Sequence, residues 1–182
     1  MDADRWHIPL SNNNITLREG LETMESFKLR QDDIPFSIQL TENPKYDIGL
    51  FPGYVTLQNH DAIHILLGRG VLLKDEAFVI GFTMGSTKKL NTLRERIFLL
   101  ITRYLYPDGY RFYEDEQKIF KSAVEIAESM KVEDLSKLDF TKYLNYNIET
   151  IRQEIGIDTD KLRKVYAFEK IMYTDPECQR LL

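Results

Sequence analysis

An apolar hairpin pattern between residues 54 and 86 constrains the fold of this chain more than any other feature. Apolar residues dominate 54–67 and 73–86 at helical spacing, and Gly68-Arg69-Gly70 separates the two runs. A glycine directly after an apolar helical run is the usual left-handed cap that ends a helix. The pattern therefore predicts two helices joined by a tight reversal, with the second helix returning alongside the first.

Four potential metal ligands lie on this hairpin. His60 and His64 share one face of the first helix because they are one turn apart, and Asp61 lies on the flank of that face. From His64 to the turn the chain climbs roughly 6 Å at ~1.5 Å per residue, and it descends about as far to Glu76. Glu76 therefore returns opposite the histidines. Two imidazoles and two carboxylates suit a divalent cation of the zinc, manganese or iron kind, and zinc best of these. The competing interpretation is a salt-bridged helix pair without a metal.

These ligands also carry a resemblance to a known family. The pattern His-Asp-x-x-His, eleven residues, Glu is similar to the signature of the coenzyme Q biosynthesis family called Coq-four, and its four positions are filled by His60, Asp61, His64 and Glu76. The resemblance covers roughly residues 53–85. It implies an all-helical protein of ubiquinone assembly that binds zinc through these four residues and a polyprenyl lipid beside the metal. It also implies other quinone-biosynthesis proteins as partners.

The activity that the resemblance implies is removal of the ring carboxylate of a polyprenyl hydroxybenzoate and its replacement by hydroxyl at ring carbon one. A metal-dependent oxidative decarboxylase is therefore expected if the protein is an enzyme. The sequence has no flavin or nicotinamide motif, so the oxidative half would need dioxygen, a redox-active metal or a partner protein. Arg69, in the hairpin turn, is a candidate for binding a substrate carboxylate or phosphate, although a turn arginine is more often only solvated.

The second hairpin helix is apolar around most of its circumference, which is typical of a helix that is buried or faces lipid. Gly81 and Gly85 are one turn apart, so that a neighbouring helix or a ligand can approach the backbone closely. Tight helix packing and a lipid groove are both consistent with this pattern. If the pattern reflects a groove for a prenyl chain, we predict that the residues lining it are Phe78, Ile80, Gly81, Phe82, Met84 and Gly85.

Two other functions are consistent with the same ligands. His-Asp-x-x-His differs from the zinc-protease motif only by aspartate in place of the glutamate that serves as general base. In a zinc-dependent hydrolase, Asp61 would polarise water and Glu76 would be the third ligand. In a non-catalytic scaffold, the metal would only staple the hairpin and an apolar groove would carry a lipid.

The remainder of the chain predicts a single all-α domain, with an irregular N-terminal arm at 1–14 and a C-terminal tail at 174–182. In the segment 92–104 the stripe formed by Leu93, Ile97, Leu100, Ile101 and Tyr104 is expected to face the core. Helices other than the hairpin pair are expected at 15–31, 92–104, 113–131, 147–155 and 158–173, with a short helix or extended piece at 33–43.

An aromatic cluster surrounds the turn Pro107-Asp108-Gly109. Aromatic residues at such a density either line a pocket for a quinone ring or close an ordinary core. The sequence leaves both interpretations open for the five members of the cluster, which are Tyr104, Tyr106, Tyr110, Phe112 and Tyr113.

Composition restricts the partners and the compartment. The net charge of −5 and pI near 5.3 argue against nucleic acid, which requires a basic footprint. The single cysteine, Cys178, fits a reducing compartment. The first residues lack the pattern of a signal or transit peptide, and no apolar run reaches the ~20 residues of a membrane span. We expect a cytoplasmic protein with at most peripheral contact at the inner membrane face, in monomeric or homodimeric form.

Overall fold

A computed structural model describes residues 5–27 and 30–182 of the chain, apart from the side chain of Gln31. Within these residues the fold is all-α, as predicted, and contains no strand; one isolated antiparallel bridge pairs Thr16 with Asn147. Short 3-10 helices occur at Gln31–Asp33, Pro44–Tyr46, Leu135–Lys137 and Phe140–Tyr143. The α-helices of the described part are α1 (Leu17–Glu22), α2 (Phe36–Glu42), α3 (Leu57–Leu67), α4 (Leu73–Ser86), α5 (Thr92–Tyr104), α6 (Glu114–Ser129), α7 (Ile148–Glu154), α8 (Thr159–Met172) and α9 (Pro176–Gln179).

The predicted hairpin is formed by α3 and α4, and its caps explain where the helices end. The Thr56 side chain accepts a hydrogen bond from the Asn59 N–H (3.3 Å) and so begins α3. Gly68 ends the helix in the left-handed region, at φ 67° and ψ 35°. The helix begins three residues later than the predicted position 54, whereas both bounds of α4 agree with the prediction.

Helix α4 lies at the centre of the domain and packs closely against α6. A Cβ atom added at Gly81 would lie 2.4 Å from the Phe120 carbonyl oxygen, and one added at Gly85 would lie 2.6 Å from that of Val124. The glycine pair therefore serves close contact between two helix backbones, one of the two roles that the sequence left open. The apolar residues of α4 between Ala77 and Met84 are buried by protein. Among the described helices, none is long and apolar enough to cross a bilayer.

Both ends of the described chain contribute to the core. In the irregular segment before α1, Trp6, Ile8 and Leu10 are buried, although residues 1–4 of the predicted arm lie outside the described part. At the other end, Cys178 and Leu181 are buried beside the short helix α9. The predicted tail is therefore packed onto the domain, and the Cys178 thiol belongs to the core.

Helix α1 is shorter than the predicted helix at 15–31, because it ends at Glu22. The next residue, Thr23, accepts a hydrogen bond from the Trp6 indole N–H (2.8 Å) and donates to the Gly20 carbonyl (2.6 Å). A threonine hydroxyl bonded to the last helical turn competes with continuation of the helix. Residues 28 and 29 of the predicted helix lie outside the described part.

The apolar stripe predicted for α5 does not face the core. Phe98 is buried between the rings of Phe51 and Phe120, with centroids 5.3 and 5.2 Å away, and this fixes the rotation of the helix. The stripe is turned away as a result. Ile97 and Ile101 are partly buried at its edge, whereas Leu93, Leu100 and Tyr104 are exposed.

Candidate metal centre

Three of the four predicted ligands converge where α3 and α4 meet. Available ligand atoms of His60, His64 and Glu76 all lie within 4.8 Å of one another. Nε2 of His60 lies 2.9 Å from Nε2 of His64 and 2.9 Å from Oε2 of Glu76, and Nε2 of His64 lies 3.3 Å from Oε1 of Glu76. The hairpin therefore forms a compact group with two nitrogen ligands and one carboxylate, and this group can hold a metal ion.

A hydrogen bond fixes the tautomer of His64. Nδ1 of His64 lies 2.6 Å from the carbonyl oxygen of Gly70, in the turn between the two helices. A carbonyl oxygen only accepts, so Nδ1 carries the proton and donates it, and Nε2 then presents a lone pair to the centre. Outer hydrogen bonds of this kind orient histidine ligands in metal sites. The turn that ends α3 thus also prepares His64 as a ligand.

Acceptor atoms at these distances need a positive centre among them. A lone pair on His64 Nε2 and the carboxylate of Glu76 would repel a third lone pair on His60 unless a proton or a cation lies between them. The donor set of two imidazoles and one carboxylate is the one found in open zinc sites, which leave a coordination position for water or substrate. The three residues therefore fit a divalent cation by their chemistry as well as by their spacing.

The pKa values of His60 and Glu76 show the same electrostatic balance. Burial lowers the pKa of His60, but the carboxylate of Glu76 outweighs burial. With smaller contributions from Glu42 and Asp61, it raises the pKa of His60 to about 9. Burial raises the pKa of Glu76, but the two histidines outweigh it and hold that pKa below its usual range. A protonated His60 balances Glu76 in the cation-free protein, and a bound cation would displace that proton.

Asp61, the fourth predicted ligand, is not a member of the triad. Its side chain is buried, and it lines the cavity beside the histidines. Its negative charge raises the pKa of His60. The position of Asp61 one residue after His60 turns it to the flank of the ligand face, since successive helical residues are rotated by about 100°.

A cavity of about 460 Å³ adjoins the triad. Its walls are mostly apolar and include Met24, Ile38, Val55, Leu73, Ile80 and Phe112. Polar groups from several elements also line it, among them Glu42 and Tyr106, which no motif in the sequence connects with the site. A few convergent polar groups in a mostly apolar cleft of this size are typical of small-molecule sites.

Part of the aromatic cluster belongs to this cavity. Tyr106, Tyr110 and Phe112 line it, whereas Tyr104 and Tyr113 are exposed. The sequence left two roles open for these residues, lining a pocket or closing the core. Phe112 has both roles, because it lines the cavity and is also buried in the hydrophobic core. The turn at Pro107-Asp108-Gly109 is the local signal that brings these rings back toward the hairpin.

The lipid groove predicted on α4 is not where the cavity lies. Phe78, Phe82 and Met84 are buried in the core, and the space beside Gly81 and Gly85 is filled by the backbone of α6. The groove was predicted in the wrong place for a simple reason. The two glycines indicate that a neighbour approaches α4 closely, but they do not indicate whether this neighbour is a lipid or another helix. Of the six predicted residues Ile80 alone lines the cavity.

Arg69 is also placed differently from the prediction. Its guanidinium is fully buried, donates to the Glu169 carboxylate (2.5 Å) and stacks over the rings of Phe78 (3.8 Å) and Tyr166 (4.2 Å). Burial lowers the pKa of Arg69, but Glu169 outweighs burial and raises it above its usual range. Arg69 does not line the cavity, so it stabilises the packing of α8 on the hairpin and is no candidate for substrate binding.

Comparisons with known protein families, with curated proteins and with solved structures found no match for this chain.

Proposed function

We propose that the protein binds one divalent cation, zinc, through His60, His64 and Glu76, and holds a small amphipathic ligand in the adjoining cavity. The observation that carries the proposal is the position of the triad in the wall of that cavity, since all three residues line it. A ligand in the cavity would thus have its apolar part against Ile38, Ile80 and their neighbours and a polar group beside the triad. The cation would supply Lewis-acid stabilisation of negative charge on that polar group.

For the ligand we propose a prenylated hydroxybenzoate or related quinone precursor, and for the protein a Coq-four-like role in ubiquinone biosynthesis. The Coq-four-like spacing of the ligands supports this choice, as does the combination of an apolar cavity with a site for an oxygen anion. The segment that carries the cavity residues Ile38 and Glu42 also exposes apolar side chains to solvent, namely Phe36, Leu40 and Ile48. We propose that these side chains make the peripheral membrane contact through which a prenylated ligand would enter.

Binding of a geranylated 4-hydroxybenzoate by the zinc-loaded protein tests this proposal. We expect Ile80→Trp, which fills part of the cavity, to weaken binding about tenfold or more because it removes space for the prenyl chain. Isothermal titration calorimetry measures the affinity, and elemental analysis checks that zinc is retained.

Leu100→Trp is the matched control, because Leu100 is 58% exposed on α5 and does not line the cavity. This variant should bind as the wild type does. Failure of the zinc-loaded wild type to bind the compound at micromolar concentration would remove the quinone precursor from the proposal, although the cation site would stand.

A metal-dependent hydrolase is the second candidate, and the position of Asp61 is the observation that favours it. Asp61 lies in the cavity wall beside the triad but outside the ligand group, which is where a general base would lie. In this function the base would take a proton from water beside the triad, and Glu76 would be the third ligand.

Asp61→Asn separates the two candidates. In the first candidate, a bound cation draws the neighbouring Asp61 in as the fourth ligand that the sequence predicts, so the substitution is expected to weaken zinc retention about tenfold or more because a charged ligand is lost. If Asp61 is a base, zinc is retained and hydrolysis of peptide or ester probes is lost. Competition with a chromogenic zinc chelator measures retention. We expect weaker retention, and full retention together with lost hydrolysis would replace our first candidate by the second.

A further inference from the structure

A carboxylate on α2 lies in the same cavity as the triad. Glu42 is the last residue of α2, and its main-chain carbonyl accepts a hydrogen bond from the Val55 N–H (3.2 Å), just before α3. This bond ties the end of α2 to the hairpin. The Glu42 side chain lines the cavity together with His60 and Glu76, which lie 18 and 34 residues later in the chain.

One hydroxyl group holds this carboxylate in place, and a second hydroxyl group holds the first. The Tyr106 hydroxyl donates to Oε1 of Glu42 (2.5 Å), and the Thr41 hydroxyl lies 2.6 Å from the Tyr106 oxygen. Thr41 and Tyr106 are 5% and 2% exposed, so both hydroxyl groups are shielded from bulk water. Such buried hydrogen-bond chains restrict the orientation of the group at their end. No residue in the described part of the chain donates a hydrogen bond to Oε2, the second oxygen of Glu42.

From this geometry we infer that Glu42 is a proton acceptor for a ligand hydroxyl bound beside the triad. In this step the O–H bond of the ligand breaks, a new O–H bond forms on Oε2, and the electron pair remains on the ligand oxygen. Tyr106 continues to donate to Oε1 in both states, so it acts as a positioning residue. The inference rests on the proposed function, because it takes the cavity to be the ligand site.

The electrostatic surroundings of Glu42 suit this role. Burial raises the pKa of Glu42 to about 7, against the opposing effects of the Tyr106 hydrogen bond and of His60. Glu76 adds to the increase through its negative charge. A base works best when its pKa lies near the pH at which it operates, and an ordinary glutamate is too weak a base for this. Burial, together with the same carboxylate, raises the pKa of Tyr106 well above its usual value, so the phenol stays protonated and remains a donor.

Counting protons during ligand binding tests the inference. The probe is 4-nitrocatechol, whose absorbance shows how many protons its hydroxyl groups lose when it binds zinc-loaded protein. Calorimetry in two buffers of different ionisation enthalpy shows how many protons reach the solvent. At a pH just above the Glu42 pKa of about 7, we expect the wild type to retain about one of the protons that the probe loses, because the negative charge of the bound probe raises that pKa further. Glu42→Gln should retain about none, because an amide does not accept a proton in this range.

Circular dichroism and zinc content show whether each variant is folded and loaded, and Glu42→Met replaces the glutamine variant if that one does not fold. Glu22→Gln, at an exposed position outside the cavity, is the matched control and should retain the proton. Equal proton retention by wild type and Glu42→Gln overturns the inference and leaves the proposed function intact. Absence of probe binding to loaded wild-type protein overturns the inference and the proposed use of the cavity as a ligand site, whereas the cation site would stand.

Discussion

Replacement of Gly81 by leucine is expected to lower the free energy of unfolding by about 3 kcal/mol or more. The added Cβ atom alone would lie 2.4 Å from the Phe120 carbonyl oxygen, so α4 and α6 must move apart. Removing a glycine from a helix favours folding by only about 1 kcal/mol. The clash therefore outweighs the gain in helix propensity, and chemical denaturation should show a clearly lower unfolding midpoint.

Ala167→Leu is the matched control for this prediction. Ala167 is exposed on α8, so the same side chain is introduced into a helix without a neighbour to displace. Its unfolding midpoint should stay close to that of the wild type. A Gly81→Leu protein of wild-type stability would show that the space beside α4 is open, as the groove interpretation of the sequence requires.

Loss of the charge on Glu169 is expected to have a comparable effect. Glu169→Gln leaves the Arg69 guanidinium fully buried, with Asp75 4.0 Å away as its remaining ion-pair partner. Removing one partner from a buried ion pair typically costs about 3–5 kcal/mol, because the other charge is left without compensation. We expect a loss of about 3 kcal/mol, since Asp75 compensates part of the charge. Urea denaturation at neutral pH measures it.

The control for this prediction is an exposed ion pair. Lys118 and Glu114 lie 2.7 Å apart on the solvent face of α6, and Lys118→Gln should leave the unfolding midpoint unchanged because solvent screens the pair. If Glu169→Gln is as stable as Lys118→Gln, Arg69 is not held by this contact and becomes free for another role.

The hairpin and its ligand face were predictable because their determinants are local. Helix spacing places His60 and His64 on one face, Gly68 ends the helix, and the short turn returns Glu76 to them. Each of these relations spans fewer than twenty residues. Local spacing alone did not resolve the role of Asp61, because a flank position is compatible with either a ligand or a neighbouring base.

What the sequence could not provide was the identity of distant neighbours. Gly81 shows that something approaches α4, but that it is the backbone of α6 depends on the whole packing arrangement. The same holds for Arg69, whose partner Glu169 is a hundred residues away, and for Glu42, which meets Tyr106 sixty-four residues later. Contacts of this range have no periodic signature, so they appear only in the folded molecule.

Zinc content of the purified protein tests the central claim most directly. After loading with zinc and exhaustive dialysis, elemental analysis should find about one ion per chain in the wild type. The double variant His60→Ala, His64→Ala should retain almost none, because two of the three ligands are lost. His7→Ala, which changes the third histidine of the chain and lies outside the triad, should retain the ion. Equal zinc content in the wild type and the double variant, or none in the loaded wild type, would contradict the proposed site.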